Sequence, residues 1–214
     1  SNTTSIPQLD NYYFNSFTQK WLWIGMFLSF AIKVPMWPFH TWLPDAHVEA
    51  PTIGSMILAG ILLKVGAFAF LRISLPILPE ASTYFSNFIV FLSVIAVTYT
   101  SLVAFAQTDI KKLIAYSSVA HMGYVTAGIF SITKTGIQGA LFQMISHGII
   151  SAGLFLSIGL LYERNNSRLI SDYNLLIKSV PVFSVLFVIL VLSSVGLPGT
   201  SGFIGELFVV MAIF

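Results

Sequence analysis

The chain has 214 residues, of which 56% are apolar and 8% charged, a balance that soluble domains of this length do not normally show, so its natural solvent is lipid. The net charge of +2 is spread mostly over short connections and points to no nucleic-acid partner. The absence of cysteine excludes disulfides, thiolate metal sites and iron–sulfur ligation by this chain.

Residues 1–20 are polar, with no basic stretch ahead of a short apolar run, so a connecting segment or an amino end is expected there and not a signal peptide. Residues 21–214 read as a transmembrane domain. A spanning helix needs about 20 mostly apolar residues to cross roughly 30 Å of hydrocarbon. Six stretches qualify: 21–38, 52–75, 84–106, 113–132, 136–162 and 181–214. The last fits only if it is interrupted, and Leu197-Pro198-Gly199 supplies the interruption. The expected fold is all-α, a polytopic helix bundle of about six spans, two of them discontinuous. Because Phe214 falls within an apolar run, further helices are expected either in a longer parent or from another chain.

If all six stretches span, the basic residues of the connections sort to two sides. Lys111, Lys112, Arg164, Arg168 and Lys178 collect on one, and Lys20, Arg72 and Lys134 on the other. The bias places 45–49, 109–112 and 163–178 on the cytoplasmic or matrix side.

The informative residues are the ionisable ones inside apolar stretches. Lys33, Lys64 and Glu206 lie within spans, and His121 and His147 lie near the middles of two others. At about 2.5 to 3.5 kcal/mol for each charge at a helix centre, the two lysines and Glu206 would together cost roughly 8 to 10 kcal/mol facing lipid. They are therefore expected to face one another or water. Lys33, about a turn from Pro38, could instead snorkel to the interface. Lys64 sits too near the midplane for that. Each histidine could be neutral and simply hydrogen-bonded between helices, and Glu206 could cap a half-helix. Lys, His and Glu are the residue types whose proton affinity is tuned by burial and neighbouring charge. Joined through water, they suit a pump or antiporter better than a passive pore.

The breaks agree. In Lys33-Val34-Pro35-Met36-Trp37-Pro38 two prolines follow a lysine, and Leu197-Pro198-Gly199-Thr200-Ser201-Gly202 precedes Glu206. Proline removes an amide donor and obstructs the ladder, and non-helical backbone at membrane depth survives only inside protein or beside a water-filled cavity. Paired discontinuous helices point to a transport site. His40 and His47, with Asp45 and Glu49 nearby, match no strong metal pattern, and residues 38–47 read as a loop tying two helices. Gly54, Gly60 and Gly66 are spaced for close helix packing.

Several of these motifs, taken whole, also carry a resemblance. Lys33-Val34-Pro35-Met36-Trp37-Pro38, Trp42-Leu43-Pro44-Asp45-Ala46-His47, Glu49-Ala50-Pro51-Thr52, Leu58-Ala59-Gly60-Ile61-Leu62-Leu63-Lys64, Ala120-His121-Met122-Gly123 and Leu197 through Glu206 closely resemble the antiporter-like membrane subunits of respiratory NADH:ubiquinone oxidoreductase, complex I. The likeness runs from about Trp21 to Phe214. It implies the antiporter-like fold and proton translocation as part of an NADH-driven translocase. Lys33 would be the central lysine on a broken helix, Lys64 the bridging lysine of the next, and Glu206 the residue exchanging protons with the far side. His121 and His147 would line the axis between Lys64 and Glu206, with His40 beside the first break. NADH, FMN, iron–sulfur clusters and ubiquinone would be held by other subunits, and this chain would bind no cofactor and no metal. Its partners would be other membrane-arm subunits, including one supplying an earlier helix whose glutamate pairs with the central lysine, together with membrane lipids. The chain would then cover the middle to later helices of such a subunit, in a mitochondrial inner membrane or a bacterial plasma membrane. Sodium/proton antiporter and membrane-bound hydrogenase subunits share the general pattern. A split fragment kept for assembly is a further alternative.

Overall fold

The computed structural model describes residues 5–10, 12–173 and 176–214. Residues 1–4 and 11 of the polar amino segment, and 174 and 175 of the connection 163–178, lie outside the described residues. Among those described, the chain is helical, and its β content is one isolated bridge between Asp109 and Leu169.

A short helix, α1 (Ile6–Asp10), precedes α2 (Ser16–Lys33), which starts before the first apolar run because Asn15 caps it, its side chain accepting from the Phe17 amide. After a break come α3 (Trp42–Glu49), α4 (Thr52–Ile77), α5 (Pro79–Phe105), α6 (Ile110–Phe130) and α7 (Lys134–Asn165). The short α8 (Leu176–Ser179) leads to α9 (Pro181–Ser194) and, after a second break, α10 (Ser201–Ile213). The four helices α4 to α7 are long and apolar enough to cross a membrane, and α9 and α10 are shorter apolar helices. The expected stretch 181–214 falls on α9 and α10, divided by the second break, and 21–38 on α2 and the first break.

Local chemistry sets the ends. Asp109 accepts from the amides of Lys111 and Lys112, and Thr133 from that of Gly136, so α6 and α7 begin a little before their apolar runs. Pro79 opens α5, where its missing amide is not needed. Asn166, left-handed at φ 49°, ends α7. The second break turns on Gly196 and Gly199, at φ 74° and 96°, a region open to glycine and costly for other residues. One expectation is corrected: residues 42–47 are not loop but belong to α3, because Pro44 falls in that helix's first turn, which lacks intrahelical amide bonds in any case.

The most apolar window of α6 is 72% buried, against 28%, 33% and 56% for α4, α5 and α7, so α6 is the inner helix. Its carboxyl-terminal part, with Phe130, shares a buried cluster with Trp23, Phe27 and Phe70, the Trp23 indole donating to Ser82 Oγ at 3.0 Å. Its amino-terminal part, with Ile114, shares a second cluster with Ala59, Ile150 and Phe155. Between lipid-facing helices there is little hydrophobic drive, and close contact at small residues replaces it. Gly60 meets α7, where an added Cβ would touch Ala152 and Gly148, whereas Gly66 meets α2 at Val34 and Lys33. Gly54 touches only the start of its own helix. The basic residues segregate as well: Lys111 and Arg168 line one cavity, while Arg72 pairs with Asp10 at 3.3 Å and Lys20 lies over Tyr84.

Candidate proton-relay site

Lys64 stands on α4 between two π turns, Leu58–Leu62 and Phe70–Ser74. Such turns place an extra residue in the helix and are frequent at functional positions. Lys64 Nζ lies 2.7 Å from His147 Nδ1 on α7, and it donates to the Ala59 carbonyl inside the first π turn. The helices come this close because neither carries a side chain at the crossing: a Cβ built on Gly148 would stand 2.9 Å from Gly60 O. With Nδ1 accepting from the ammonium, a neutral His147 carries its proton on Nε2, which has no protein partner.

The His147 ring is 5.3 Å from that of His121 on α6, centroid to centroid. His121 Nδ1 in turn is 2.9 Å from Glu206 Oε1 on α10. Gln143, one turn before His147, donates from Nε2 to the same oxygen at 3.2 Å. These two donors hold the carboxylate, and His121 and Glu206 are largely enclosed, with side-chain exposures of 15% and 19%. Small residues again permit the approach. A Cβ on Gly205 would lie 2.9 Å from that of Gln143, and one on Gly196, in the second break, 2.9 Å from Glu206 Oε2. Ser146 Oγ donates to Ser201 Oγ at 2.9 Å and ties α7 to the start of α10. Glu206 is therefore no cap: it lies five residues inside α10 and turns to His121.

Lys64, His147, His121 and Glu206 thus form one line through the bundle. His147 and His121 both line a void of about 10 Å³, together with Gln143, Ser117, Ser118 and Ser194. At the Glu206 end, a cavity of about 490 Å³ is lined by His121, Tyr124, Ser117 and Ser194. The other expected residues are not joined to this line. Lys33 ends α2 with its side chain exposed and has no hydrogen bond or ion pair among the described residues. His40 is buried in the first break with its ring edge-on to Tyr99 at 6.1 Å, and its Nδ1 lacks a protein partner. No cluster of three or more His, Cys, Asp or Glu with metal-binding geometry occurs among the described residues. The sequence reading missed Gln143, although Gly139, Gln143, His147 and Ser151 mark one face of α7 at four-residue spacing.

Two discontinuous helices, glycine-lined crossings and a buried Lys–His–His–Glu line define an antiporter-like membrane helix bundle. The family model described as NADH:quinone oxidoreductase/Mrp antiporter, transmembrane, matches residues 1–214, and the chain belongs to that family. It is 59% identical over 198 residues to NADH-quinone oxidoreductase subunit M of Rickettsia typhi, covering 92% of this chain and 40% of that protein. It is 51% identical over 214 residues to NADH-ubiquinone oxidoreductase chain 4 of Marchantia polymorpha, covering 100% and 43%. A chain of respiratory complex I from Thermus thermophilus with bound NADH superposes with a TM-score of 0.93 at 39% identity, over 99% of this chain and 45% of that one. One in the Mrp complex of Dietzia sp. shares the fold at 24% identity, with a TM-score of 0.89 over 99% of this chain and 40% of that one. These agree with the resemblance carried by the motifs. The chain spans about two fifths of the length of the curated relatives it matches, 40% for the Rickettsia protein.

Proposed function

We propose that this chain translocates protons as part of a membrane-arm subunit of NADH:quinone oxidoreductase, driven by electron transfer from NADH to quinone in other subunits and holding no redox centre itself. The observation that carries the proposal is the line from Lys64 through His147 and His121 to Glu206, with contacts of 2.7 Å and 2.9 Å at its two ends. A proton on Lys64 passes to His147 Nδ1, and Nε2 releases one toward His121. Both rings line a void of about 10 Å³, close to the room one water needs, and a water there would bridge the step. His121 hands the proton to Glu206, which Gln143 holds in place, and the cavity beside Glu206 carries it away. Lys33 and His40 serve the first break, toward the neighbouring part of the assembly. Moving one charge against 100 mV costs about 2.3 kcal/mol, which the redox reaction supplies. The membrane is a mitochondrial inner membrane or a bacterial plasma membrane, and the partners are the other membrane-arm subunits.

The fold shared with the Mrp complex supports a second reading, a subunit of a sodium/proton antiporter. That reading requires sodium-dependent exchange without electron transfer. NADH-driven pumping and NADH:quinone turnover, measured in membranes carrying Lys64→Ala with assembly checked on a native gel, decide the matter. Intact assembly with pumping and coupled turnover lost is expected. Both at the unmodified level would remove the relay and leave a structural role for the chain.

A further inference from the structure

A further fully enclosed histidine lies off this line. His47 on α3 is fully enclosed, its two ring nitrogens have no protein partner, and its ring stacks on Phe155 of α7 at 4.3 Å and 13°. A buried polar atom without a protein partner is unfavourable unless ordered water satisfies it, and an imidazole so placed calls for a reason. Its position supplies one. Lys111 and Lys64 act on it electrostatically, as does His147. On the Lys111 side, a cavity of about 410 Å³ is lined by Glu49, Thr52, Lys111, Tyr162, Glu163 and Arg168. His47 meets α7 at Phe155, two turns beyond His147 and one turn before Ile158 of the cavity wall, so along that helix it stands between the relay and the cavity. The cavity is bounded by Glu49, two residues along α3, and by Ile158, one turn beyond Phe155. The backbone there is fixed, because Ser55 Oγ of α4 donates to the His47 carbonyl at 3.2 Å and Lys111 Nζ donates to that of Ala50 at 2.7 Å.

We infer that His47 is a proton-carrying residue joining the Glu49–Lys111 cavity to the Lys64–His147 end of the relay, which extends the function proposed above. In the step, one ring nitrogen takes a proton from water on the cavity side, giving an imidazolium. The other nitrogen then releases its proton through water toward Lys64 or His147, and the ring is neutral again in the opposite tautomer. One proton has moved and no other bond has changed. A half-turn about Cβ–Cγ resets the ring and ends with it flat on Phe155 once more.

The test uses the whole assembled complex. His47→Phe keeps an aromatic ring against Phe155 but carries no proton, and His47→Gln keeps hydrogen bonding without titration. NADH-driven pumping and quinone-coupled turnover are measured over a range of pH, with NADH oxidation by an artificial acceptor and a native gel reporting assembly. Both variants are expected to assemble and to lose at least about tenfold in pumping, the scale of a missing acid–base group. Normal pumping by His47→Phe overturns the inference. Impaired His47→Phe beside normal His47→Gln also overturns it, because hydration alone then suffices. Failure of both to assemble assigns the ring to packing and overturns it as well. Lys64→Ala measured alongside keeps the two proposals apart: if it is inactive while the His47 variants pump, only the role of His47 falls.

Discussion

The two broken helices use the same backbone device and end in opposite circumstances. At the second break, Glu206 on the half-helix that follows is gripped by His121 and Gln143. At the first, Lys33 on the half-helix that precedes is exposed and has no partner among the described residues, while α4 packs on its Cβ and on Val34 through Gly66. A break by itself only frees backbone. It becomes part of a relay where a neighbouring helix approaches closely enough to present a polar side chain, and in this bundle a glycine at the crossing permits that approach. α10 has Gly205 against Gln143, and α4 has Gly60 against Gly148, whereas Gly66 meets only apolar and main-chain atoms of α2 and the base of Lys33.

The sharpest test of the contrast compares its two charges. Glu206→Gln is expected to lower pumping by about tenfold or more in assembled complex, the range of a lost proton-transfer group. Lys33→Met should match it if the first break works with a partner elsewhere in the assembly. A silent Lys33→Met beside an inactive Glu206→Gln would confine the relay to Lys64 through Glu206 and leave Lys33 as a charge on a helix end, worth about 0.3–1 kcal/mol. Next in size is Gly205→Val. Its side chain would drive into the backbone of α7 at Gln143, and overpacking of this kind costs about 1–3 kcal/mol, to be read as earlier heat inactivation of coupled activity. Gln143→Leu keeps the packing but strips one donor from Glu206, and a few-fold fall in pumping is expected, in line with about 1 kcal/mol for a single hydrogen bond. The smallest effect belongs to Lys112→Ala. Its contact with Asp45 of α3 is long, 3.9 Å, with Asp45 79% exposed, and pairs of this kind contribute about 0–1 kcal/mol. A large loss there would mean that the position of α3 depends on surface charge.

Lys64, His121, His147 and Glu206 stood out in the sequence because a lysine, a glutamate or a pair of histidines inside an apolar helix is costly. The four long apolar helices were legible through length and hydropathy. What stayed hidden was uncharged or dispersed. Gln143 costs little to place in a helix and looks like any polar residue until Gly205 brings Glu206 beside it. His47 sat in a stretch whose prolines and charges suggested a loop, and only the register of Pro44 within the first turn makes that stretch helical. Helix starts shifted because Asn15, Asp109 and Thr133 extend helices past the edge of the apolar pattern. No count of residues could show that Lys33 would face outward while Lys64 faced His147, since which glycine meets which helix is a tertiary fact.

The π turn at Leu58–Leu62 has a consequence for chain length. In that turn the Leu63 amide reaches Leu58 O, five residues back, so α4 carries one residue more than an even ladder would need. Shortening the chain by a single residue, for example by deleting Ile61, would let the ladder close in the ordinary way. The two halves of α4 would then keep their own contacts with α7 and α2 without the extra residue between them. Were the ladder instead to stay wound as it is, everything beyond the deletion would turn by about 100° and draw in by about 1.5 Å. The first outcome predicts a protein that assembles with Lys64 still beside His147, and the second one that fails to assemble. In genetic terms, the spare residue makes this stretch a place where the loss of a single codon can leave both halves of the helix seated.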